Sequence, residues 1–168
     1  MVARLYSFGL CGMEAFVVTI EVDISKGLPG FEIVGLPDAA VRESRDRVRS
    51  AMKNCGYDFP VSRITMNLAP ADIKKSGPLY DLPLLLSMLC ATGQLEGEWE
   101  DSAFLGELSL TGEVRPVNGV LPMAIAAKEH GFRRIFVPRQ NAAEGAAVEG
   151  IQVFGVSHVK ELTAFLSG

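Results

Sequence analysis

At 168 residues the chain corresponds to about one domain, on a scale of roughly 150 residues each. It is long enough to bury roughly 70% of its unfolded surface without disulfide or metal staples. A composition of 48% hydrophobic and 21% charged residues excludes a disordered tail, a collagen-like chain and a disulfide miniprotein. The longest uncharged run covers 14 residues, 82–95, and contains Pro83, whereas a membrane span needs about 20 apolar residues. The net charge of −4 argues against a domain that grips phosphate over its whole surface. That total is uneven: residues 42–75 hold eight Lys or Arg against four Asp or Glu, for +4, and the remainder carries −8.

In chain order, Leu5 to Leu10 and Ala15 to Asp23 read as strands, the second alternating around Phe16, Val18 and Ile20. After a turn at Lys26-Gly27-Leu28-Pro29-Gly30, Phe31 to Val34 reads as a third strand. Gly35-Leu36-Pro37-Asp38 opens a helix with Asp38 as N-cap; the helix runs from about Ala39 to Asn54 and buries Val41, Val48, Met52 and Cys55. Arg63 to Asn67 is an alternating strand. Asp81 is placed to cap a second helix, Leu82 to Thr92, apolar nearly all round and therefore buried, with Pro83 tolerable in its first turn.

Ala103 to Leu108 and Glu113 to Pro116 read as a hairpin over Thr111-Gly112. A third helix follows Asn118-Gly119 and ends at His130-Gly131, where Gly131 suits the C-cap. A strand at Ile135 to Val137, a short helix at Ala142 to Val148 and a strand at Val153 to Gly155 precede a last helix, capped by Ser157 and ending at Leu166. Helices and strands alternate after three initial strands, so the fold class is a layered α/β domain. Cys11, Cys55 and Cys90 form no C-x-x-C pair and lie among apolar neighbours. They read as buried reduced thiols, and with no signal-peptide pattern at the N-terminus the expected compartment is the cytoplasm.

The chain has no G-x-x-x-x-G-K-[ST] loop and no G-x-G-x-x-G after a strand. His130 and His158 are its two histidines, without metal-ligand spacing, and His130 reads as a surface residue at a helix end. No cofactor or metal site is expected in this chain.

Several blocks together carry a resemblance. They are Gly35-Leu36-Pro37-Asp38-Ala39-Ala40-Val41-Arg42-Glu43-Ser44-Arg45-Asp46-Arg47-Val48-Arg49-Ser50-Ala51, then Arg63 to Asp72, Tyr80-Asp81-Leu82-Pro83 and Phe104-Leu105-Gly106-Glu107-Leu108. They resemble the N-terminal domain of the ComM/YifB family of magnesium-chelatase-like AAA+ ATPases over essentially all 168 residues. The resemblance implies a two-layer fold similar to ribosomal S5 domain 2 and to the Lon proteolytic domain, with helices packed on a mixed sheet. It implies one Lon-like domain over residues 1–168 and an AAA+ motor, with its ATP and Mg2+, C-terminal of Gly168. It also implies a hexameric DNA helicase that drives branch migration in natural transformation, with neighbouring subunits and DNA as partners.

Lon-type peptidases use a Ser nucleophile and a Lys base, the Ser following Gly-Pro at a helix start that can stabilise an oxyanion. Here Gly77-Pro78 is followed by Leu79, and the register of the later helix puts Met123 at the Lys position. The resemblance therefore implies degenerate dyad positions, Leu79 and Met123, and a non-catalytic domain. Ser76 is close by, with no base shown to be aimed at it. ComM-like chains read Gly-Ser-Arg-Phe-Asp-Leu-Pro where this one has Gly77-Pro78-Leu79-Tyr80-Asp81-Leu82-Pro83, so the family's Ser and Arg are replaced by Pro78 and Leu79. A divergent Ser-peptidase-like hydrolase is the alternative, and a magnesium-chelatase-type metal-insertion subunit the weaker one.

The first helix carries Arg42, Arg45, Arg49 and Lys53 at spacings of three, four and four, which puts them along one side; Lys74 and Lys75 extend the set. Three readings stay open: a solvated face, a sequence-independent phosphate contact, or a docking surface for an acidic neighbouring subunit. No aromatic residue interleaves the helix cations, so base stacking has no support in the pattern.

Overall fold

The computed structural model describes residues 2–168. Seven strands form one mixed sheet: β1 (Val2–Cys11), β2 (Glu14–Ser25), β3 (Gly30–Val34), β4 (Arg63–Ala69), β5 (Ser102–Phe104), β8 (Arg134–Pro138) and β9 (Gln152–Val156), in the order β3-β4-β2-β1-β5-β8-β9. The β1–β2 and β2–β4 ladders are antiparallel and the other four parallel. A separate hairpin pairs β6 (Glu107–Leu108) with β7 (Val114–Arg115).

The helices are α1 (Ala39–Arg42), α2 (Ser44–Asn54), α3 (Asp81–Ala91), α4 (Val120–Glu129), α5 (Ala142–Ala146) and α6 (Val159–Leu166). The period-two pattern of the strands decides which helices cover which face. Val18, Ile20 and Val22 of β2 and Ile64, Met66 and Leu68 of β4 point into one core with residues of α2, α3 and α6; Phe8, Ala103, Ile135 and Val137 point into another with α4. Every residue of α3 except Cys90 is buried, as its all-round apolar sequence requires. The layered α/β class and mixed sheet expected from the sequence are present.

Four local expectations change. The single helix over 39–54 is two, because the Ala40 carbonyl accepts a hydrogen bond from the Arg47 guanidinium (2.9 Å) at the point where the helix breaks around Glu43. The strand Ala103 to Leu108 is likewise split: β5 belongs to the main sheet and β6 to the hairpin, with Gly106 held against Leu79 and Leu82 through backbone hydrogen bonds between them. Ser157 does not cap α6. His158 occupies that position, its Nδ1 accepting from Lys160 N–H (3.0 Å) while Nε2 donates to the Thr111 carbonyl (2.9 Å), which fixes the tautomer. Cys11 is exposed at the β1–β2 turn rather than buried, and Cys55 and Cys90 are half-buried free thiols; burial pushes the Cys90 thiol up to about 11.

Candidate nucleic-acid and subunit interface

The loop from Gly35 to Asp38 sets the position of the basic helix. Gly35 adopts φ +107°, and a Cβ there would lie 2.1 Å from the Leu68 carbonyl oxygen, so only glycine permits this approach of loop to strand. Asp38 caps α1 as expected, its Oδ1 accepting from Val41 N–H (2.8 Å), while Oδ2 accepts from Gly77 N–H (3.2 Å). Lys75 ties the other side. Its N–H donates to the Leu36 carbonyl and its carbonyl accepts from Asp38. Its ammonium is fully buried and donates to the carbonyls of Gly35 (2.8 Å) and Pro70. Burial holds the Lys75 amine below the usual lysine value. Lys75 is therefore a buried brace and does not extend the basic surface with its exposed neighbour Lys74.

Along α2 the cations divide by side. Arg47 turns inward: Nε donates to Asp81 Oδ2 (2.6 Å) and one terminal nitrogen to Asp81 Oδ1 (3.1 Å). Asp81 also accepts from the Ser44 hydroxyl (2.5 Å) and Leu108 N–H (3.0 Å). Asp81 is consequently no N-cap. It lies inside the first turn of α3, behind a short turn at Pro78–Tyr80, and its fully buried carboxylate joins α2, α3 and β6. Burial holds this carboxyl above its usual range, opposed by its four donors.

Arg45 is half-buried and donates to the Phe31 carbonyl on β3 (3.2 Å) and the Arg42 carbonyl (3.2 Å). Arg49 is exposed, its guanidinium 5.3 Å from the Phe59 ring centroid and 5.9 Å from that of Phe31, two rings that stack on each other at 5.8 Å. These aromatics come from β3 and the loop before β4, so spacing along α2 could not reveal them. Their negative ring faces hold the guanidinium in place. Arg42 and Lys53 are exposed. Among the described residues, no carboxylate lies within 4.0 Å of Arg42, Arg45, Arg49, Lys53 or Lys74.

At the helix start compared with peptidases, Leu79 is half-buried and Met123 fully buried, and Leu79 packs against the cluster that contains Met123. Ser76 is exposed, and the neighbouring Lys75 amine is directed to two backbone carbonyls instead. The Tyr80 hydroxyl is buried without a hydrogen-bond partner among the described residues and points at Gly9, where a Cβ would lie 2.5 Å from it. His130 is exposed at the end of α4, its Nδ1 2.8 Å from the Ala126 carbonyl. Among the described residues no group of three or more His, Cys, Asp or Glu could hold a metal ion, and no helix is long and apolar enough to cross a membrane.

A mixed seven-stranded sheet with α3 and α4 on opposite faces is an α/β domain of the Lon-like class. It agrees with a weaker relationship to Lon protease of Mycolicibacterium smegmatis, which is 28% identical over 138 residues, 77% of this chain and 17% of that protein. More specifically, the chain belongs to the family described as subunit ChlI of Mg-chelatase, whose model matches residues 20–141. Its relatives include competence protein ComM of Haemophilus influenzae, 42% identical over 167 residues, covering 99% of this chain and 33% of that protein. YifB of Escherichia coli is 44% identical over 158 residues, covering 94% and 31%. The chain thus spans about a third of the length of these two relatives.

Proposed function

We propose that this chain is the non-catalytic accessory domain of a hexameric AAA+ DNA motor, a helicase of the kind that drives branch migration in recombination and natural transformation. Its own contribution is subunit packing together with sequence-independent DNA contact. One observation carries the reading: Arg42 at the end of α1 and Arg49 and Lys53 on α2 stand exposed without a carboxylate partner among the described residues, and Arg45 and the Phe31–Phe59 pair hold α2 against β3. Phosphate contact asks for positioned cations and no base-reading groups. That the Haemophilus relative is a competence protein fits a partner that is DNA.

ATP and Mg2+ belong, in this reading, to the remainder of the full-length protein. The residues here do not fit them: α4 begins Gly119-Val120-Leu121 where a phosphate loop needs Lys and a hydroxyl, and the described residues contain no cluster of metal-ligating carboxylates. Peptide hydrolysis is disfavoured by Leu79 and the buried Met123, which supply neither nucleophile nor base. Because the +4 segment acts inside a −8 remainder, binding is expected to be weak.

Fluorescence anisotropy of the 168-residue chain against labelled duplex and four-way-junction DNA tests this. Expected is binding at low salt that weakens steeply with added salt and does not depend on base sequence. Absence of binding at low salt removes DNA contact from the proposal, and labelling of the chain by a fluorophosphonate probe would overturn its non-catalytic part.

A further inference from the structure

A groove lies beside the N-terminal half of β1. β1 is ten residues long and β5 three, and the two meet at a single bridge, Tyr6 with Ala103. N-terminal of that bridge, β1 has β2 on one side and, among the described residues, no strand on the other. In an antiparallel pair, alternate residues turn their N–H and C=O away from the partner. Val2–Leu5 thus presents strand-edge hydrogen-bonding groups to open space, and no backbone bond from the facing loop meets them among the described residues.

That facing loop, residues 93–100, closes a groove of about 520 Å³. Its floor is apolar: Leu5, Leu95 and Trp99 are buried and Cys90 half-buried. The loop is held in shape from both ends. Gln94 and Leu95 donate to the Leu89 carbonyl, and Ser102 donates to the Trp99 carbonyl. Gly97, at φ +144°, lies so close on the indole that a Cβ would be 2.6 Å from the ring. The rim is acidic, with Glu96, Glu98 and Glu100 all exposed. Among the described residues the one cation lining the groove, Arg4, is already paired with Glu21 at 3.0 Å.

Proteins normally protect an open strand edge with lysines, a proline, a bulge or a covering element. This edge instead has an apolar floor and a negative rim. We propose that the groove is a docking site for an extended basic segment of a partner protein, which adds a strand to β1 along Val2–Leu5. Main-chain hydrogen bonds to the open edge supply affinity, alternate apolar side chains fill the floor, and the intervening Lys or Arg side chains meet Glu96, Glu98 and Glu100.

Trp99 is the chain's single tryptophan, so its emission reports on the groove directly. The probe is acetyl-Lys-Val-Lys-Val-Lys-Val-amide, titrated into the chain. Expected is a saturable change in Trp99 emission, with affinity lowered about tenfold or more in Glu96→Lys/Glu98→Lys/Glu100→Lys. These three positions are exposed, and an unchanged circular-dichroism melt would show that the variant folds. The same peptide N-methylated at every residue, which has no N–H left to donate to a strand edge, is expected not to bind. Equal binding of the methylated peptide would overturn strand addition, and an unaffected triple variant would overturn the charge match. Silence of Trp99 at millimolar peptide would overturn the site itself. Concentration-dependent dimers in sedimentation that the peptide dissolves would assign the edge to a second copy of this chain and contradict the basic partner.

Discussion

Arg47 and Arg49 stand two residues apart on one helix, with the same side chain and the same charge, and the fold puts them to different uses. Arg47 faces α3, where Asp81 is fully buried and accepts from Arg47, Ser44 and Leu108 N–H. Arg49 faces outward, backed by two aromatic rings and without a carboxylate within 4.0 Å among the described residues. The inner side of α2 fastens two helices and a hairpin together, while the outer side keeps its cations available. A count of charges cannot distinguish these sides; a list of hydrogen-bond partners does.

The comparison breaks most visibly at Arg47. Arg47→Met leaves Asp81 buried without its counter-charge and is expected to cost about 3–5 kcal/mol in urea unfolding. A loss below about 1 kcal/mol would class the pair with surface salt bridges and dissolve the contrast.

Lys75 comes next, since Lys75→Met strands the Gly35 and Pro70 carbonyls at an expected cost of about 1–3 kcal/mol. Its pH dependence has a definite sign. The folded amine titrates below the ordinary value of 10.5, so the unfolded chain binds the proton more tightly. Stability from this group therefore rises as pH increases from the folded value towards 10.5. Wild-type stability minus that of Lys75→Met, measured by urea unfolding across the alkaline range, is expected to grow with pH; a flat difference would contradict the buried charge.

Arg45, tied by two bonds to backbone carbonyls, is intermediate: Arg45→Ala is expected to cost about 0.5–1.5 kcal/mol in melting experiments. Smallest in stability is the outer set, where Arg42→Ala/Arg49→Ala/Lys53→Ala is expected to stay within about 0.5 kcal/mol per site.

Elements with strong patterns were legible in the sequence. The alternation of β2 and β4, the apolar α3, the Asp38 cap and the glycine ends all emerge where local chemistry alone decides. Asp81 departs from its expected place for a physical reason. A carboxylate before an apolar run suits an N-cap, and its actual partners, Ser44, Arg47 and Leu108, are distant in sequence, so no local window contains them. Lys75 reads as surface because lysine is seldom fully buried; the carbonyls that hold it belong to a loop 40 residues away and to Pro70. Of the six cations singled out from spacing, Arg42, Arg49, Lys53 and Lys74 are exposed, Arg45 is a brace and Lys75 is interior. The groove beside β1 left no signal, because it arises from the unequal lengths of β1 and β5.

The central claim, that the exposed cations of α1 and α2 meet DNA phosphate, is tested most directly by the salt dependence of DNA binding. Log affinity against log salt is measured for the wild-type chain and for Arg42→Ala/Arg49→Ala/Lys53→Ala. The account predicts unchanged melting and a shallower slope, by roughly 0.9 for each lost phosphate contact. An unchanged slope at unchanged stability would contradict it and leave α2 as a solvated face.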